Sequence, residues 1–407
     1  MCVFGQHNYG DRARGEGYEY ANFIPALRRL GHEVIFLDSW NRNHYRTFAE
    51  LNRALLCAVD KYRPEVVFSV LTHYEIWLET WEILRGSGIA ATVNWATDDS
   101  WKYSQFSRLV APAFHAFTTT CPDAYSSYQR DGISHVLLTQ WAANAAGLRP
   151  PLSAGECHFS VSFVGTAYGK RRTWVDALRR RGIDVACFGH GWPHGPVAAE
   201  DIPRIIHSSV ISLNFANSGR PWQGILSPLA SQIKARMFEV PGAGGFLLTE
   251  WANGMEQYYE GEREVAVFRD LEEMENKIRH YLAHPAQRDA IAWAGYERTR
   301  AVHTYDQRLV QVLGFALNQH QKYLAGQGAP TFQIDWDRFE EASHRHRVNR
   351  RLMLVRRALI AACSAAWGSA IGPRAARRLV FELSWRLTGA RTYSSEGWPG
   401  RMFYDLR

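Results

Sequence analysis

Over residues 1–145 and again from 156 to 300 the chain repeats one order: a short apolar run, a polar or glycine-rich loop, an amphipathic stretch, and the next apolar run. Such alternation builds βαβ units, in which the crossover brings the chain back to the same sheet edge and the strands lie parallel. Strand-like runs fall at 2–4, 33–37, 66–71, 90–95 and 116–120, then at 160–165, 183–188, 210–213, 246–249 and 265–268. Helical stretches at 18–30, 48–62, 76–85, 174–180 and 271–300 separate them. The fold expected is α/β, two doubly wound Rossmann-like domains facing a central cleft, with 407 residues dividing into 1–150, 151–320 and an extension at 321–407.

In such sheets ligands collect at the carboxyl ends of the strands. The stretch 232–256, QIKARMFEVPGAGGFLLTEWANGME, reads as helix, sharp loop and strand. Pro241 and Gly242, Gly244 and Gly245 would stop the helix there and let the backbone approach a ligand, or simply supply a tight αβ loop. At 163–172, FVGTAYGKRR places Gly165 and then Lys170, Arg171 and Arg172 at a helix start. Backbone N–H groups and cationic side chains together suit a diphosphate, although bases also populate ordinary helix surfaces.

In the first half, strand ends deliver Thr72-His73-Tyr74-Glu75 and Asp98-Asp99-Ser100. Asp98 or Asp99 can serve as a general base, since neighbouring like charges raise a carboxylate's proton affinity, or can cap the helix that follows. His73 is a second candidate base. The loop 5–17 carries four glycines but not the G-x-G-x-x-G dinucleotide fingerprint, which argues against a nicotinamide site. The six cysteines are scattered and the histidines form no ligand pattern, so neither zinc nor a disulfide framework is expected, and single buried thiols are. No basic-then-apolar leader opens the sequence, and a cytoplasmic location is expected.

The net charge of +7 belongs to the tail: residues 342–407 hold thirteen arginines and three acids, +10, which leaves −3 for residues 1–341. Nucleic-acid binding by the folded body is therefore not expected. The apolar run 358–371 is 14 residues, short of the roughly 20 a spanning helix needs. Two helices broken at Gly372-Pro373 are predicted, suited to an anionic membrane surface, to the body of the protein or to a partner subunit.

FVGTAYGKRR at 163–172, SLNFANS at 212–218, KARMFEVPGAGGFLLTE at 234–250, QYYEGEREVAVFRDLEEM at 257–274 and AGYERTRAVHTYDQRL at 294–309 together resemble the CgeB-like glycosyltransferases of the two-Rossmann-domain (GT-B) superfamily. The resemblance implies transfer of a sugar from a nucleoside diphosphate donor, of UDP or GDP type, to a glycan or lipid-linked acceptor, with no tightly bound cofactor and no required metal. It places the R-x-F-E pattern on Arg236 and Glu239, Glu239 taking the ribose hydroxyls and Arg236 with Lys234 the diphosphate. It sets Gly242, Gly244 and Gly245, Gly165, Lys170, Arg171 and Asn214 around the nucleotide. Retaining relatives carry a further glutamate where this chain has Ser231; an inverting enzyme would need a base such as Asp98, Asp99 or His73. Without a dedicated base, Glu16 and Tyr18 would shape the acceptor site. An epimerase or hydrolase on the same fold, or a non-catalytic nucleotide-sugar scaffold, fits the same residues.

Overall fold

The computed structural model describes residues 1–404 apart from Arg42, Thr72, 217–230 and 327–330. Thr72 and the last two residues of the 212–218 motif, Asn217 and Ser218, thus lie outside the described residues. Two parallel sheets form two Rossmann-like lobes, and a helical extension follows them. The first sheet contains β1 (Cys2–Phe4), β2 (Phe36–Asp38), β3 (Val66–Ser69), β4 (Ala91–Trp95), β5 (Ala116–Thr119) and β6 (Val136–Leu138), in the order β2-β1-β3-β4-β5-β6. The second contains β7 (Phe159–Val164), β8 (Ala186–Phe188), β9 (Ser209–Asn214), β10 (Leu247–Glu250) and β11 (Ala266–Phe268), in the order β11-β10-β9-β7-β8. Strand order reverses between β1 and β3 and between β7 and β9, the points where doubly wound sheets open a ligand crevice.

The inner strands are covered on both faces: every residue of β4 and of β10 is buried, the polar Thr92, Asn94, Thr249 and Glu250 included. Helix starts are set by local chemistry. Thr47 caps the helix Phe48–Tyr62 by accepting the Glu50 N–H at 3.1 Å, while Glu50 accepts the Arg46 N–H at 2.7 Å. The helix Arg236–Gly242 takes in Pro241 and stops at the glycines, as expected of that stretch. In so short a helix the proline removes a single backbone bond. The cysteines are all free; four are buried, but Cys57 is exposed, which corrects the expectation of uniformly buried thiols.

The chain crosses between lobes twice, side by side. Ala143 pairs in parallel with Thr304, its N–H donating to the His303 carbonyl at 2.9 Å and its carbonyl accepting from the Tyr305 N–H at 3.0 Å. The helix Tyr305–Gly326 then packs on the helix Tyr18–Arg29 and on β4 and β5 of the first lobe. The extension follows that path: Ile334, Phe339 and Tyr393 are buried in the first lobe's core, where Phe339 stacks on Trp77 at 6.2 Å. The two helices predicted around Gly372-Pro373 are Arg350–Trp367 and Gly372–Thr388; Trp336–Arg345 and Trp398–Phe403 flank them.

His303 is buried at the crossing, donating Nε2–H to the Tyr258 carbonyl at 2.9 Å and accepting from Arg308 on Nδ1 at 2.9 Å. Burial pulls its pKa down to about 4 from 6.5. The unfolded chain therefore takes up the proton first, and stability present above pH 6.5 is lost as pH falls towards 4. From pH 7 to pH 5 we expect His303 alone to account for about 2 kcal/mol of lost unfolding free energy, so a urea titration of His303→Gln should show a loss smaller by that amount than the wild type. Equal losses in the two proteins would contradict this role.

Candidate functional site

The site is built where the second sheet reverses its order. Arg236, first residue of the helix Arg236–Gly242, donates Nε–H to the Val164 carbonyl at the end of β7, at 3.3 Å, and pairs through Nη1 with Glu239 one turn later. This fixes the guanidinium plane and leaves N–H groups on Nη2 uncommitted to Glu239. Gly165 follows β7; a Cβ there would lie 2.9 Å from the Phe163 ring, so its glycine is required by packing. Arg171 is buried beneath, over the Tyr168 ring at 4.0 Å and donating to the Thr166 carbonyl at 3.0 Å. Lys170 lies 4.1 Å from the Trp174 ring and pairs with Glu250 at the end of β10. Glu250 also accepts the Ala216 N–H at 3.1 Å.

Lys234, unlike Lys170 and Arg236, has no ion pair among the described residues. Burial pulls its ammonium down to about 8, Asp98 across the cleft resisting that fall and Arg171 adding to it. The first lobe closes over the same place. The Tyr18 hydroxyl hydrogen-bonds the Tyr305 hydroxyl at 2.9 Å and faces Glu239; burial, then the Glu239 carboxylate, push its pKa well up. Gln232 donates to the Thr97 carbonyl at 3.1 Å and accepts from Ser100 at 2.7 Å, tying the two lobes together just ahead of Lys234.

Several of the expected site residues have close protein neighbours in this geometry. Gly242, Gly244 and Gly245 stand at the opposite end of the site helix from Arg236 and face protein. A Cβ on Gly242 would meet Ala143 at 2.6 Å; on Gly244, at φ +76°, it would meet the Arg149 carbonyl at 2.5 Å; on Gly245 it would meet Ile206 at 2.6 Å. They let the helix dock against the crossing segment and do not line the strand carboxyl ends. Asn214 spends its side-chain amide on Thr249 at 2.9 Å, inside the sheet. Asp99 is buried with both carboxylate oxygens engaged, one by Ser107 and one by Tyr128 at 2.9 Å, and so buttresses the turn. Burial raises its pKa against those hydrogen bonds.

Asp98 is half-exposed, 3.8 Å from Lys102, on the side facing Lys234. His73 is exposed and leans on Trp40, ring centroids 5.3 Å apart, at the other strand-order reversal. Sequence reasoning passed over Glu19, whose carboxyl is pushed up by burial and then by Asp98, and over Gln232, Glu250 and Tyr305. The only signal for Glu19 was its place at the start of the helix Tyr18–Arg29. Glu16 is exposed, its carbonyl held by Asn8 at 2.8 Å.

Beside Asp99 a cleft of about 570 Å³ opens between Trp101 and Tyr103 of the first lobe and Arg378 and Trp385 of the extension. Among the described residues no group of three His, Cys, Asp or Glu is placed to hold a metal ion.

Residues 170–314 match the family model described as Glycosyl transferase-like. No curated protein matches the chain. Among solved structures, sucrose-phosphate synthase from Thermosynechococcus elongatus superposes with TM-score 0.52 at 14% identity, covering 80% of this chain and 98% of that one. Anabaena HepE in complex with UDP-glucose superposes with TM-score 0.50 at 12% identity, covering 80% and 99%. At such identities the likeness is one of fold, and the fold is GT-B.

If the glycines serve packing, Gly244→Ala should lower unfolding stability by on the order of 2 kcal/mol, through the left-handed φ and the carbonyl contact, without weakening nucleotide binding by the folded fraction. Thermal unfolding alongside calorimetric titration with UDP separates these effects; lost affinity at unchanged stability would return the loop to the binding site.

Proposed function

We propose that this chain is a glycosyltransferase that moves a sugar from a nucleoside diphosphate to an acceptor hydroxyl. The observation that carries the reading is the set Lys234, Arg236 and Glu239, gathered at the order reversal of the second sheet inside the segment that matches the glycosyl transferase-like model. A carboxylate has lone pairs enough to accept both hydroxyls of a ribose cis-diol while keeping its Arg236 partner. Arg236 and Lys234 then face the diphosphate, the first as a fork and the second as a point charge. In the first lobe, Asp98 takes the proton of the acceptor hydroxyl. The acceptor oxygen bonds to the sugar's anomeric carbon as its bond to the diphosphate breaks, and the electron pair leaves with the nucleotide, neutralised by Lys234 and Arg236. Ser231 in place of the glutamate of retaining relatives supports this inverting course. The cleft between Trp101 and Trp385 supports an acceptor-dependent reaction over epimerisation, because its aromatic walls suit a sugar ring.

Calorimetry with a panel of nucleoside diphosphates tests the donor site. One of UDP or GDP should bind, and Glu239→Ala should weaken it by at least about tenfold, the worth of a charged hydrogen bond. Binding of none, or undiminished binding by the variant, would remove the assignment. Lys234 sets a pH signature: its free pKa near 8 rises when a diphosphate binds, so affinity is full below pH 8 and falls as pH climbs above it, by up to about tenfold per pH unit. Lys234→Gln should flatten that slope. Asp98→Asn should leave nucleotide affinity in place and cut kcat by roughly 10²–10⁴. The anomeric configuration of the product, read by NMR, must be inverted if Asp98 is the base.

A further inference from the structure

The helices Arg350–Trp367 and Gly372–Thr388 form a hairpin, and its outer surface does not look like that of a soluble protein. Of 18 large apolar side chains exposed among the described residues, seven stand on this hairpin, far above its share of the chain. Trp367 and Ile371, 58% and 56% exposed, mark its tip. On the second helix Leu379, Leu383 and Leu387 recur every fourth residue as one exposed stripe. Residues 358–373 carry no charge at all, yet arginines stand on both sides of them, with Arg357 and Arg374 exposed. No single described helix is long and apolar enough to cross a membrane; the pair reaches that composition only together, and it is bent by 119°.

We infer that the hairpin tip is a docking surface for an anionic lipid bilayer. An uncharged tip bounded on each side by arginines matches an interface in which the apolar end enters the acyl boundary and the guanidinium groups stay at the level of the phosphates. A second protein copy would meet the same arginines as like charges. The pair is bent by 119° at the tip and turns back on itself, so the contact inferred is with one leaflet. The face of the second helix next to the leucine stripe carries Arg378 and Trp385, which places the 570 Å³ cleft beside the lipid surface. This inference stands on the surface of the extension and does not depend on the glycosyl-transfer reading.

Full-length protein floated on a density gradient with vesicles of phosphatidylcholine, alone or mixed with phosphatidylglycerol, tests it. The wild type should float with the mixed vesicles and remain below with the neutral ones. Trp367→Glu combined with Ile371→Glu should lower the floated fraction about tenfold at unchanged circular dichroism, because both side chains are exposed and contribute nothing to the core. Arg357→Glu combined with Arg374→Glu should abolish the preference for anionic vesicles. Failure of the wild type to float, or flotation that the tip variant leaves intact, overturns the inference. So does a dimer in light scattering that the tip variant turns into a monomer, since that outcome assigns the face to a second copy.

Discussion

The pairing of Ala143 with Thr304 is the constraint on which the site depends. Two segments run between the lobes and hydrogen-bond to each other there, so the lobes meet along a defined line. The site helix Arg236–Gly242 is seated against that line through its C-terminal glycines, with the Gly242 carbonyl accepting the Arg149 N–H at 3.0 Å. Its other end holds Arg236 and Glu239 against β7. Tyr305, immediately after the crossing, carries the contact onward to Tyr18, which faces Glu239. Position in this cleft thus follows from backbone pairing and missing Cβ atoms as much as from the polar side chains.

Electrostatics explains why so many of the expected phosphate contacts have protein partners. A half-buried group of Lys170, Arg171, Lys234 and Arg236 would be costly to desolvate alone. Glu250 and Glu239 offset two of the four charges, and the arginines add ring and carbonyl contacts. That group is left with a surplus of two positive charges, on Arg171 and on Lys234, whose pKa burial has lowered to about 8. That surplus is a better argument for an anionic ligand than the count of bases in the sequence, because paired bases attract little.

The sheets were legible because buried parallel strands read as apolar runs; β4, expected at 90–95, is Ala91–Trp95. β6, Val136–Leu138, escaped notice. The glycines after Glu239 show where sequence reasoning stops. Gly244 could be recognised as a place where the chain needs freedom, but whether the close neighbour is a ligand or the Arg149 carbonyl depends on a segment about a hundred residues earlier. Asp98 and Asp99 show the same limit at shorter range. They are adjacent in sequence, yet Asp99 turns into the core towards Ser107 and Tyr128 while Asp98 faces the other lobe. Tyr18 and Tyr305 meet across 287 residues, which no local pattern encodes.

The extension joins two physical regimes in one stretch. Ile334, Phe339 and Tyr393 complete the first lobe's core around Trp77, and the Glu79 carboxylate accepts both the N–H and the hydroxyl of Ser395, the latter at 2.8 Å. Deleting the extension would strip cover from Trp77 and leave the Glu79 carboxylate without those donors, so a truncated protein would report on stability before anything else. Between those anchors the hairpin buries only a small core of its own, Cys363, Ala376, Val380, Met402 and Phe403, and turns its leucines outward. A helical pair with so little to bury inward gains its remaining apolar contact from outside the chain, and the anchors at 334–346 and 393–395 fix the direction in which it is offered.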